Sequence, residues 1–60
     1  MNVIRTALRD MIDNLTAAGF GLDAAIRGAD GTERDELVDE RDRLDRIIER
    51  LQQKADRLTD

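Results

Sequence analysis

Sixty residues with a net charge of −4, and with no Cys, His, Ser or Pro, make one domain at most. They exclude a disulfide framework, a thiolate or imidazole metal site and any Ser–His or Cys–His nucleophile. Charged residues form 40% of the chain and Phe20 is its single aromatic, a composition of long helices rather than sheets. A chain this short buries only about 60% of its unfolded surface. Cores of that size supply roughly 3–5 kcal/mol, so a second subunit is the expected staple.

Asn2 is placed to cap a first helix whose apolar residues Ile4, Leu8, Met11, Leu15, Ala18, Leu22 and Ala25 alternate spacings of four and three. That seam crosses Gly19, Phe20 and Gly21 without losing phase. Two readings of the AGFG segment compete. The helix ends with Gly19 as a left-handed cap and Phe20 folded onto Leu15, or it continues and carries both glycines at about 1 kcal/mol each. A continuous helix sets Phe20 in water almost opposite the seam, which favours a break or kink at 19–21 and a short second piece over Leu22 to Arg27.

Gly28 to Thr32 (GADGT) is the clearest turn in the chain. Thr32 and Asp35 resemble a capping box for a second helix from Glu33 to about Leu58, with Asp39–Arg43 and Asp42–Arg46 as i,i+4 pairs. Leu37, Leu44, Leu51 and Leu58 recur every seven residues, with Arg41, Ile48 and Ala55 between them. The expected fold is therefore all-α: a single domain over 1–60, with arm 2–27, turn 28–32 and arm 33–58 forming an antiparallel hairpin. Its core is expected from Leu8, Leu15, Leu37, Leu44, Ile48, Leu51 and Leu58. Ile12, Ile26, Val38 and Ile47 fall on the flanks of the stripes, where only a wider interface covers them. A homodimeric four-helix bundle follows.

The chemistry is sparse. Carboxylates at Glu33, Glu36, Asp39, Glu40 and Asp42 are interleaved with Arg34, Arg41 and Arg43, which reads as a solvated face, not a metal site; no metal or cofactor is expected. The segment before Leu37 is acidic, which excludes a zipper-type DNA-binding protein. No stretch reaches the ~20 apolar residues of a membrane span and no signal peptide opens the chain, so a cytoplasmic location is expected.

Size and hairpin form are similar to the plasmid RNA-modulator hairpins, which are small dimeric four-helix bundles that read RNA with basic side chains of their first helices. Here Arg5, Arg9 and Arg27 share that arm with Asp10 and Asp13. The segment Leu44 to Ile48 (LDRII) also resembles helical hairpins that dephosphorylate aspartyl-phosphate regulators, but Arg41 and Asp42 stand in place of their Ser-Gln pair. Neither activity carries over.

The expected function is that of a small acidic non-enzymatic protein, a homodimer that binds or inhibits another protein, of the antitoxin or phage-inhibitor type. A basic partner would suit its charge. The alternative is a binder of an anionic small molecule such as a nucleotide, and RNA binding is a weaker possibility. That alternative has a location. Folding about residue 30 brings Arg41 opposite Gly19, Phe20 and Gly21, with Arg34 and Arg27 on the same edge. A broken helix there offers free N–H groups beside a guanidinium. The plainer reading is that Arg41 snorkels along the seam to Asp23 or Asp45.

Overall fold

In a computed structural model that describes residues 2–58, the chain is an antiparallel helical hairpin. Helix α1 spans Val3–Gly28 and helix α2 spans Gly31–Arg57. The Cα trace measures 47 × 15 × 10 Å. Its radius of gyration, 14.2 Å, exceeds the about 10 Å of a compact chain of this length, so the molecule is a rod.

Asn2 caps α1 as its sequence position suggests: its side-chain oxygen accepts from the Arg5 N–H at 3.0 Å. At the other end the reversal is tighter than the expected 28–32 turn. Ala29 and Asp30 are extended, and Gly31 turns the chain with φ +60°, the one positive φ among the described residues. Thr32 therefore lies inside α2 and caps nothing, and Asp30 holds the N-cap position with no side-chain cap bond. Of the two surface pairs, Arg46–Asp42 forms at 2.7 Å, whereas Arg43 takes Glu40 at 2.7 Å instead of Asp39. Residues three and four apart are both neighbours on a helix, and the longer Glu40 side chain reaches Arg43.

The expected break at 19–21 is not there. Helix α1 runs unbroken through Gly19, Phe20 and Gly21, and Phe20 is left 66% exposed. The cost of two mid-helix glycines is about 1 kcal/mol each, and a seam that stays in phase outweighs it.

The seam of α2 is the predicted one: Leu37, Arg41, Leu44, Ile48, Leu51 and Leu58 are half-buried and Ala55 is buried. The seam of α1 is shifted. Leu8, Leu15 and Leu22 turn inward as expected, but the positions between them are Arg5, Ile12, Gly19 and Ile26, not Ile4, Met11, Ala18 and Ala25. Each inward residue is the neighbour of the expected one, one step round the helix. Ile12 and Ile26 thus face α2 and are not flank residues, while Val38 and Ile47 remain on the flanks at 45% and 48% exposure.

Candidate functional site

The shift of α1 follows from the arginine in the seam. A Cβ built on Gly19 would stand 2.9 Å from Arg41 Cζ and 3.0 and 3.1 Å from its two terminal nitrogens. The guanidinium therefore lies flat where a side chain is missing, and Gly19 is buried beneath it. Any other residue of α1 turned toward Arg41 would push it out. Gly19 is a socket.

Two carboxylates fix the guanidinium in that socket. Arg41 Nε donates to Asp23 Oδ1 at 2.9 Å, across the helix pair, and its Nη1 donates to Asp45 one turn along α2. The Asp23 hydrogen bond is the chief reason that Arg41 holds its proton above the ordinary arginine value; partial desolvation opposes it, and the charges of Asp23 and Asp45 add to it. A raised value for a cation means that Arg41 keeps its proton, and on the alkaline side its part of the pairing is lost only in strong alkali.

The residues suggested for an anion site are only partly brought together. Arg41 and Gly19 meet. Phe20 points into water, Gly21 has open space beside it, and Arg27 and Arg34 are exposed and share no hydrogen bond or ion pair with Arg41 among the described residues. With α1 continuous, the backbone N–H groups of 19–21 are spent on the helix, and Nε and Nη1 of Arg41 donate to Asp23 and Asp45. The arrangement acts as a register pin between the helices.

The hairpin has two unlike faces. On the Arg41 side, a groove of about 370 Å³ is lined by Arg9, Asp13, Gln52 and Asp56 around Ile12 and Ala55. The opposite side carries a groove of about 620 Å³ lined by Ala18, Gly21, Leu22, Leu44 and Ile47 with Glu40 and Arg43 at its rim. A further groove of about 400 Å³ brings Ile4, Leu8 and Leu58 together with Lys54 and Arg57. These two belong to one stripe, because Ala18 lies two heptads from Ile4 and Lys54 lies one heptad from Ile47.

That apolar stripe is the most unusual surface on the molecule. It is floored by the half-buried leucines of the seam and edged by Ile4, Met11 and Ile47, which are 65%, 48% and 48% exposed. Sequence reasoning passed over Glu40 and Lys54 as part of it, although Glu40, Ile47 and Lys54 fall one heptad apart and Ile4, Met11, Ala18 and Ala25 do likewise. Among the described residues no group of three or more carboxylates is arranged to hold a metal ion, and no helix is long and apolar enough to cross a membrane. No family model matches the chain, and comparison with curated proteins and with solved structures returns no match.

Proposed function

We propose that this chain is a small, acidic, non-enzymatic interaction protein that works as a helical homodimer and regulates another protein by binding it. The single observation that carries the reading is the uncovered apolar face. Within the hairpin, Gly19 and Ala55 alone are buried among the described residues, while Ile4, Met11 and Ile47 stand in water. The seam leucines are only half-buried, so the hairpin by itself leaves much of its apolar surface in water, and a second subunit would help to offset the ordering of two long helices.

The dimensions suit a second subunit: the long face of the rod, 47 × 15 Å, is of the order of the about 800 Å² that each partner buries in a standard interface. The absence of Ser, Cys and His supports a binding role over a catalytic one. Pairing through the apolar stripe would leave the charged Arg41 side and the acidic N-terminal half of α2 outward, a surface suited to a basic partner.

Sedimentation and melting over two decades of protein concentration, with and without phosphate and nucleotides, test the reading. The expected result is a dimer whose melting temperature rises with concentration and ignores the anions. A monomer with a constant melting temperature refutes it. So does a nucleotide that stabilises the chain by the about 2.7 kcal/mol due to a ligand at a hundred times its Kd.

A further inference from the structure

Two heptad rows border the uncovered face, and each has a direction. The row on α1 reads Ile4, Met11, Ala18, Ala25: two large side chains, then two small ones. The row on α2 reads Glu40, Ile47, Lys54: an acid, an apolar residue, a base. Run antiparallel against itself, either row is complementary. Run parallel, either row sets like against like.

We propose that a second copy of the chain fills this face across a two-fold axis perpendicular to the helices, with the two turns at opposite ends. Helix α1 then packs antiparallel on α1 of the partner subunit, and α2 on α2 of the partner subunit. This rests on the self-association reading above and adds the face, the orientation and the residues that choose it.

The two rows locate the axis independently. On α2, Ile47 sits at the axis, so Glu40 meets Lys54 of the partner subunit and Lys54 meets Glu40 of the partner subunit. On α1, pairing large with small puts Ile4 beside Ala25 of the partner subunit and Met11 beside Ala18 of the partner subunit, so the axis passes next to Leu15. The hairpin sets these points within about one helical turn of each other. Lys54 shares a groove with Leu8, which lies one heptad from Leu15, and Ile47 shares a groove with Ala18, three residues from Leu15. Ile47 thus lies within about a turn of the level of Leu15. Interdigitation of large with small and the pairing of opposite charges select the same axis.

Face-to-face packing has one other two-fold solution, with the axis along the helices and the turns at the same end. That arrangement lays α2 over α1 of the partner subunit. Glu40 and Lys54 would then be pressed against the uncharged α1 row and lose water without gaining a partner, which is costly. At the outer rim of the favoured arrangement Glu36 faces Arg57 of the partner subunit. Arg43 approaches Arg50 of the partner subunit there, in water, with its charge already met by Glu40 at 2.7 Å. A standard interface takes about 800 Å² from each copy, the scale of the 47 × 15 Å face.

The cysteine-free chain makes the test direct. Ile47→Cys should give a disulfide-linked dimer under mild oxidation, because only an axis-proximal position brings its own Cα within the about 7 Å that a disulfide spans. Glu40→Cys and Lys54→Cys should each stay unlinked alone and link when mixed. In a second arm, Glu40→Lys should raise the dimer dissociation constant at least about tenfold, and adding Lys54→Glu should bring it back to within about threefold of the parent. Within one chain Glu40 and Lys54 lie nearly four helical turns apart, so such rescue must act between copies. A chain that sediments as a monomer at every concentration overturns the self-association reading and this inference together. A dimer in which Ile47→Cys does not link, or in which the charge swap gives no rescue, overturns this inference alone.

Discussion

Placing an alanine at Gly19 and, separately, at Gly21 measures the socket. Both glycines lie inside α1, so each alanine gains about 1 kcal/mol of helix propensity. At Gly21 nothing in the same chain stands within 4 Å of the new Cβ, so nothing within the hairpin opposes the gain. At Gly19 the Cβ would meet three guanidinium atoms at 2.9–3.1 Å. Arg41 must withdraw, and its bond to Asp23 at 2.9 Å must lengthen or break. Overpacking of this kind costs about 1–3 kcal/mol, so Gly19→Ala should range from neutral to about 2 kcal/mol destabilising. Thermal melts by circular dichroism at one fixed protein concentration resolve the difference, since 1 kcal/mol moves the melting temperature of so small a domain by about 4–8 °C. The cycle closes with Arg41→Ala: that background lacks the three guanidinium atoms nearest the Cβ, and Gly19→Ala should recover its gain of about 1 kcal/mol. If Gly19→Ala stabilises the parent as much as Gly21→Ala does, the guanidinium moves aside freely and the socket argument is wrong.

Two further outcomes follow from the same packing. Leu44→Ala, which empties both the seam and the apolar groove, should cost about 2–5 kcal/mol and steepen the dependence of the melting temperature on concentration; a loss under 1 kcal/mol by chemical denaturation would mean that the face stays wet. Asn2→Ala removes the 3.0 Å cap bond to the Arg5 N–H and should cost about 1 kcal/mol, with amide exchange accelerated in the first turn of α1 and unchanged near the Gly31 turn.

Most of α2 was legible from residue order alone. Its leucines recur every seven residues, its intervening positions are unambiguous, and the structure turns those residues inward. The two-arm hairpin was legible for the same reason, since glycines and an aspartate punctuate two periodic stretches of nearly equal length. The candidate site was half legible. Folding about residue 30 put Arg41 at the level of Gly19, and Asp23 and Asp45 were foreseen as possible partners. Local propensity, however, read the glycines as a break when one of them is a place for another helix's side chain.

What the residue order could not decide was the rotation of α1. Its apolar residues are compatible with two seams that share Leu8, Leu15 and Leu22, one adding Ile4, Met11, Ala18 and Ala25, the other Arg5, Ile12, Gly19 and Ile26. By hydrophobic period alone the first is the better stripe. Volume decides for the second, because α2 presents an arginine at the level where the first seam would present Ala18, and the second offers Gly19. Periodicity is a property of one helix, whereas room for a guanidinium is a property of two. The same rotation turns the row Ile4, Met11, Ala18 and Ala25 outward while Leu8, Leu15 and Leu22 stay in the seam.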